Sequence, residues 1–399
     1  MTVSLADVEA ARAKIRGVIR QTPLRRSETL SRMAGFPIYV KMENQQKTGS
    51  FKLRGAVNRI LGRVGDRGVI AASAGNHAQG VAYAAQRAGV PAVIVMPKGA
   101  SITKADATRN YGARVIQEGD NYDECFQIAW RMAEAEGYEY IHAFDDPLII
   151  AGQGTIALEV LETQPEIRQL VVPIGGGGLI SGIAVAAKAL NPSVRVVGVQ
   201  ARGADAVFQT FRQGTLVEAD IVTALADGIA IKKPGQLTSE LIWEYVDDVL
   251  TVSDEEIASA MLAALERLKT LVEGAGAAAL AAALYRKGLL SPLPTAVVLS
   301  GGNVDANIIA HIIQRGLVQT GRLATLEVSI PDKPGNLHRV LDVISRQGAN
   351  VISVVHERLG QEVPLGWTSV TLTLETRNRE HIERLQNALH EQGLKVKIS

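Results

Sequence analysis

Polar and apolar positions along this chain follow three successive rhythms. From residue 5 to residue 20, apolar side chains recur at helical spacing (Val8, Ile15, Val18), with basic residues late in the run. Thr22-Pro23-Leu24 breaks that helix. A second rhythm follows, in which short apolar runs alternate with helical stretches. Residues 37–43, 68–72, 92–96 and 113–116 read as strands. The apolar-periodic run after Lys52, an Ala-rich stretch to about Ala88, and residues 104–111 and 123–136 read as helices. The alternation continues through a helix at 152–161, a strand at 169–174, a helix at 180–190 and a strand at 194–200. Later come a helix at 255–268, a helix from Glu273-Gly274-Ala275-Gly276 to Tyr285, and a strand at 296–299. Residues 205–227 are less regular and read as a lid. This is the pattern of an α/β protein with a parallel sheet and helical crossovers.

The third rhythm begins near Thr320-Gly321-Arg322. Residues 323–330 alternate as a strand, and Asp332-Lys333-Pro334-Gly335-Asn336-Leu337 is a turn that starts a helix to about residue 347. Strands at 351–358 and 367–375, a helix at 381–392 and a strand at 394–398 complete the order βαββαβ, the ferredoxin-like plan. The expected organisation is a domain of residues 1–320, with a smaller subdomain at about 45–145, followed by a domain of residues 321–399.

Composition narrows the function classes. The chain has 399 residues, 47% of them hydrophobic, enough for a substantial core. Its net charge of +1 gives no electrostatic case for nucleic acid or membrane binding. Cys125 is the one cysteine, so neither an internal disulfide nor a multi-thiolate metal site can form, which fits a reducing cytoplasm. Residues 1–4 lead into a charged amphipathic stretch rather than an apolar signal core. The uncharged runs 68–86 and 169–187 carry Asn76, His77 and Gln79, or Pro173 and five glycines. They read as strand, loop and helix, not as membrane spans.

Ligands of open α/β sheets bind beyond the C-terminal ends of strands, and four loops fall there. The first carries Ser50-Phe51-Lys52-Leu53-Arg54-Gly55-Ala56, with Ser50 as the expected N-cap of the helix. A lysine in a first helical turn faces the positive end of the helix dipole, which favours a neutral or covalently held amine. The alternative is a solvated lysine, one of 42 basic residues. The second loop is Ser73-Ala74-Gly75-Asn76-His77-Ala78-Gln79-Gly80. The third, Gly175-Gly176-Gly177-Gly178-Leu179, lets backbone N–H groups crowd an anion at a helix N-terminus. Its alternative is a tight, close-packed turn. The fourth is Ser300-Gly301-Gly302-Asn303. No Gly-Lys dipeptide occurs, which excludes a Walker A loop, and Ile180 and Ser181 break the dinucleotide spacing. There is no H-E-x-x-H and no G-x-S-x-G, and the seven histidines are dispersed. A reactive lysine, a phosphate cradle and polar strand-end loops together suggest pyridoxal phosphate.

These four motifs, in this order, closely resemble the fold type II pyridoxal-phosphate enzymes (the tryptophan synthase β-like fold), in particular the threonine dehydratases. The resemblance covers residues from about 15 to 320. It implies that Lys52 holds the cofactor as a Schiff base and then acts as base on Cα, with Phe51 beside the ring. Asn76 would meet the ring's 3′-oxygen, and Ser73, Gly75, Asn76 and His77 would hold the substrate carboxylate. Gly175, Gly176, Gly177, Gly178 and Leu179 would bind the phosphate, and Ser300 the pyridine nitrogen. The reaction implied is conversion of L-threonine to 2-oxobutanoate and ammonia, and of L-serine to pyruvate. Related serine racemases carry a catalytic serine where this chain has Ala74, so elimination is expected over racemisation. Glu273 either faces the cofactor or answers the helix dipole. Asp227 lies where some relatives bind a divalent cation, but an isolated carboxylate is more simply a salt-bridge partner, so no metal is assigned. The C-terminal stretch resembles an ACT domain, implying either an amino-acid effector such as isoleucine or valine near Gly335, or a ligand-free dimerisation module. A homo-oligomer, dimer or tetramer, is expected. The rival class is a non-catalytic, cofactor-binding sensor.

Overall fold

In a computed structural model of the protein, residues 2–61, 67–219, 225–358 and 363–398 are described. The chain forms two compact units, Met1–Asp305 and Ala306–Ser399.

The first unit holds two sheets. The larger orders its strands Leu24–Arg26, Ile38–Met42, Thr295–Leu299, Gln169–Pro173, Arg195–Ala201 and Asp248–Val252. All neighbours are parallel except the first pair. The smaller sheet is wholly parallel, in the order Arg114–Gln117, Ala92–Met96, Val69–Ala72, Glu139–Tyr140. Helices cover both faces, so the central strands are buried on each side and read as unbroken apolar runs. Every residue of Val69–Ala72, Ala92–Met96 and Thr295–Leu299 is buried. Each sheet has its own apolar packing, with Ile174, Ile180 and Val298 in the larger and Val69, Ile94 and Met96 in the smaller.

Three expectations are corrected here. The helix expected at 152–161 spans Pro147–Thr163. Asp146 caps it, its Oδ1 accepting from the N–H groups of Leu148 (2.7 Å) and Ile149 (3.1 Å), and Pro147 occupies the first turn. The stretch 205–227 is not wholly irregular, since Ala206–Gln213 is a helix that ends at Gly214; residues 220–224 of the supposed lid lie outside the described residues. The first helix stops at Ile15 rather than at residue 20.

The second unit opens with the helix Ala306–Gln319. Strands Leu323–Pro331, Asn350–Glu357, Trp367–Glu375 and Lys395–Ile398 follow, with the helices Asn336–Arg346 and Arg379–Glu391 between them. The sheet is antiparallel, and numbered within it the strand order is 2-3-1-4, that of a ferredoxin-like fold.

One buried polar cluster fixes the helix Lys52–Ile60 in the first unit. Arg54, in the helix Lys52–Ile60, is completely buried. Its Nε and Nη2 donate to Glu43 at 2.8 and 2.9 Å, and its Nη1 and Nη2 to Glu159 at 2.7 and 2.9 Å. Lys41, also buried, pairs with Glu159 and donates to the Thr22 carbonyl at 2.8 Å. Two cations meet two carboxylates, so the cluster is neutral as a whole. Burial alone would raise the Glu43 carboxyl, but the Arg54 guanidinium outweighs it and holds the pKa below the usual range.

Removing one member of such a cluster strands the others in low dielectric, at a cost of about 3–5 kcal/mol. Arg54→Met should therefore lower the chemical-denaturation stability by about that amount, and Arg54→Lys, which lacks the two-pronged fork, should recover less than half of the loss. A near-neutral Arg54→Met would show that the cluster does not anchor the helix.

Candidate active site

Four loops from the two sheets line one cavity of about 790 Å³. Every residue expected at the site from the sequence borders it: Phe51, Lys52, Ser73, Gly75, Asn76, His77, Gly175 to Gly178, Leu179 and Ser300.

Lys52 is the first residue of its helix. Its Nζ donates to the Ala143 carbonyl at 2.8 Å and lies 5.4 Å from the centre of the Phe51 ring. Burial pushes its ammonium down from 10.5 to about 8, against the pull of Glu273. Ser50 does not cap this helix, as the sequence led us to expect. Its backbone instead bridges to Gly301, while the Phe51 N–H donates to the Ser300 carbonyl at 3.0 Å. That pairing holds residue 50 extended and leaves its hydroxyl buried without a partner among the described residues. The Lys52 loop and the Ser300 loop are thus tied backbone to backbone.

Asn76 opens the helix Asn76–Ala88, just after Gly75. Its Nδ2 donates to Glu273 Oε1 at 2.6 Å, and its Oδ1 accepts from Asn303 Nδ2 at 2.7 Å. Ser73 Oγ accepts from the Gly75 N–H at 3.2 Å, which tightens the turn. His77 is buried, with Nε2 2.9 Å from the Ile141 carbonyl. Burial and the Lys52 charge lower its pKa to about 3, so the ring is neutral and its proton sits on Nε2. The remaining nitrogen is an acceptor, so a carboxylate at this helix end would be met by backbone N–H groups and not by the imidazole.

The glycine run bends between the strand Gln169–Pro173 and the helix Gly178–Leu190. Gly177 caps that helix at φ +99°, a conformation that L side chains rarely adopt. The run is also walled in from behind. A Cβ on Gly176 would overlap the Phe144 ring, and one on Gly178 would sit 2.8 Å from the Phe144 carbonyl oxygen. Thr238 Oγ1 donates to the Gly176 carbonyl at 2.7 Å. The loop is therefore both close-packed and at a helix N-terminus aimed at the cavity wall, and the two readings of it in the sequence are not exclusive.

Glu273 precedes the helix Gly274–Tyr285, where a carboxylate suits the dipole, yet it also borders the cavity. Burial lifts its pKa from 4.5 to about 8, against the Asn76 hydrogen bond. Near neutral pH it is mostly an uncharged acid. Ser300, at the end of the strand Thr295–Leu299, is buried, and its Oγ lies 3.5 Å from the Ala275 carbonyl. Asp227 Oδ2 accepts from Lys104 Nζ at 2.9 Å, and both residues border the cavity. Among the described residues, no group of three His, Cys, Asp or Glu side chains could hold a metal ion.

Sequence reasoning missed Phe144, Thr238 and Lys104, and gave Asn303 no role. Phe144 and Thr238 act from behind the glycines, across gaps of more than 30 residues, and no local pattern marks them. Asn303 belongs to the fourth strand-end loop, and its polar side chain with no assigned role was the available signal.

A family model described as pyridoxal-phosphate dependent enzyme matches residues 15–301. The chain is 47% identical over 399 residues to an L-threonine ammonia-lyase of Thermotoga maritima, covering 99% of each. Among solved structures, a T.th. threonine deaminase matches with a TM-score of 0.73 and 40% identity, over 76% of this chain and 99% of that one. Maize serine racemase matches with a TM-score of 0.75 and 36% identity, over 80% of this chain and 99% of that one.

The lifted pKa of Glu273 carries a stability signature in the cofactor-free protein. A carboxyl whose folded pKa is raised stabilises the fold fully below its unfolded pKa, and this stabilisation is lost as pH rises through the folded one. Stability should fall between about pH 4.5 and pH 8, and Glu273→Gln should flatten that part of the profile. Thermal melts across the range check it; an unchanged slope in the variant would assign the pH dependence elsewhere.

Proposed function

The chain belongs to the pyridoxal-phosphate dependent enzymes, and from that premise we propose that it deaminates L-threonine to 2-oxobutanoate and ammonia. The carrying observation is the 47% identity to an L-threonine ammonia-lyase over 99% of both chains. L-Serine would give pyruvate by the same steps.

The residues present fit the cofactor. The cavity joins a half-buried lysine amine, a glycine-lined helix N-terminus, an amide and a neutral hydroxyl. Gly175 to Leu179 would hold the phosphate, Asn76 the ring oxygen and Ser300 the pyridine nitrogen. When bound, pyridoxal phosphate supplies an electron sink that acidifies the proton on the substrate Cα. Lys52 would hold the cofactor through its amine and, when that amine is free, would take the Cα proton. Its lowered pKa suits the task, because a neutral amine is available near the working pH. The N–H groups at the start of the helix Asn76–Ala88 orient the carboxylate. The β-hydroxyl would leave as water, the proton it gains balanced by the one that Lys52 takes from Cα, and hydrolysis of the released enamine would give the oxo acid and ammonia.

Racemisation, the activity named for the maize neighbour, needs a proton carrier on the opposite face of Cα. Ala74 borders the cavity where the racemases are expected to place a serine, and it has no proton to give. Elimination is therefore the favoured outcome.

The second unit would act as an ACT-like regulatory module. A smaller cavity of about 240 Å³, lined by Asp332, Lys333, Gly335, His356, Arg358 and Thr368, offers both charge signs to an amino-acid zwitterion. Isoleucine and valine are the first effectors to test. The enzyme would work in the cytoplasm as a dimer or tetramer.

Release of 2-oxo acid from L-threonine and L-serine, with cofactor absorbance recorded, tests the main reading. Wild type should turn over both substrates, and Lys52→Ala should lose activity by at least about 1,000-fold together with the lysine–cofactor absorbance band. A visible band with no oxo acid from either substrate would overturn the lyase reading, and D-serine as the main product would favour the racemase. L-Isoleucine should shift the threonine saturation curve, and Arg358→Ala should abolish that shift while leaving the basal rate intact; no response to isoleucine or valine would leave the unit a ligand-free module.

A further inference from the structure

Asn303 makes a pair of hydrogen bonds that decides which way a neighbouring amide points. Its Nδ2 donates to the Thr48 carbonyl at 2.8 Å and to Asn76 Oδ1 at 2.7 Å. A backbone carbonyl can only accept, so the Asn303 atom that faces Thr48 must be the NH₂. The same NH₂ reaches Asn76, which must therefore present its oxygen there. The NH₂ of Asn76 is left for Glu273, at 2.6 Å, and for the cavity that both line. An isolated asparagine has no such preference, because its oxygen and nitrogen are nearly the same shape. Here the direction is inherited from one carbonyl, through two amides.

Two glycines make room for this relay. Gly49 has φ +75°, and a Cβ there would overlap the Asn303 amide. A Cβ on Gly301 would overlap Glu273 Oε1 and come within 3.2 Å of Asn76 Nδ2. The spacing between the loops is held by the backbone: the Gly302 N–H donates to the Gly49 carbonyl at 2.9 Å.

We propose that Asn303 is a positioning residue that holds the Asn76 amide with its NH₂ toward the cavity, so that Asn76 meets the cofactor's ring oxygen as a donor and not as an acceptor. The proposal rests on the reading of the cavity as the pyridoxal-phosphate site. A donor stabilises an ionised ring oxygen, whereas a carbonyl would repel it.

The two substitutions that separate orientation from packing are Asn303→Ala and Asn303→Asp. Alanine removes the guide and leaves Asn76 free to turn either way. Aspartate keeps the shape but accepts where asparagine donates, so it draws the Asn76 NH₂ to itself and turns the oxygen to the cavity. Each cofactor-stripped variant is titrated with pyridoxal phosphate, and the visible spectrum is recorded at saturation. The expected result is a loss of affinity of about threefold for Asn303→Ala and of more than about tenfold for Asn303→Asp at pH 8, with a shifted band in both. A packing role predicts the reverse order, since alanine removes more atoms, so Asn303→Asp losing no more affinity than Asn303→Ala would overturn the proposal. Should the aspartate variant not fold, the alanine spectrum decides, and a band identical to wild type overturns it. A wild type with no visible band would instead overturn the cofactor reading, and the proposal with it.

Discussion

The buried cluster of Arg54, Glu43, Glu159 and Lys41 is the constraint on which the rest of the first unit depends. A lone buried charge is expensive enough that a protein normally neutralises it or leaves it in water. Here the cost is offset only because each carboxylate is gripped by the planar guanidinium at 2.7–2.9 Å and each cation has more than one oxygen. That requirement is geometric. Glu43 directly follows the strand Ile38–Met42, Arg54 lies two residues beyond Lys52, and Glu159 is on the helix Pro147–Thr163. The three elements cannot shift without breaking a charge pair. Gly55 and Gly152 pack backbone to backbone beside the cluster, since a Cβ on Gly152 would sit 2.7 Å from the Gly55 Cα. The loop of residues 44–51 is held at both ends, so the amine of Lys52 starts from a fixed point.

The cavity's electrostatics follow from that placement. The helices that begin at Lys52, Asn76, Gly178 and Gly274 all contribute residues of their first turns to it. Each start carries partial positive charge and N–H groups without intrahelical partners. Such an enclosure is hostile to an ammonium and receptive to anions. The lowered pKa of Lys52 is consistent with this, although burial is its largest cause, whereas Glu273 runs the other way because burial outweighs the field and lifts its pKa. A ligand with a phosphate at one end and a carboxylate at the other answers the field at two separate helix starts. It can do so without any arginine in the glycine run.

Much of this was legible in the sequence, and what was not has a physical reason. Strands buried on both faces are continuous apolar runs, so Val69–Ala72, Ala92–Met96 and Gln169–Pro173 were found nearly to the residue. The βαββαβ order was equally readable, because its strands alternate and its turns carry glycine and proline. The strand Asp248–Val252 and the helix Gln236–Tyr245 went unread, although Pro234-Gly235 directly precedes the helix as a turn signal. The helix at Pro147 was started late although Asp146-Pro147 is a sound helix opening. Ser50 looked like a cap, but a long-range backbone bridge to Gly301 decided its conformation. Local propensity cannot report a partner 251 positions away.

The same distinction separates the parts of the site. Groups that touch a ligand tend to sit in compact motifs, because a loop must supply several of them at once. The residues that aim those groups are more dispersed: Phe144 behind the glycines and Thr238 on the Gly176 carbonyl lie outside the four motifs, while Asn303 on Asn76 lies within one. Each acts by contact in space, and each is interpretable only when the partner's own hydrogen-bonding choices are followed to an atom that has no choice. For Asn76 that atom is the carbonyl oxygen of Thr48. The chemistry of this cavity is thus set partly by a peptide group that would never touch a substrate, which is why substitutions at the motif residues alone would give an incomplete account of how the site is held.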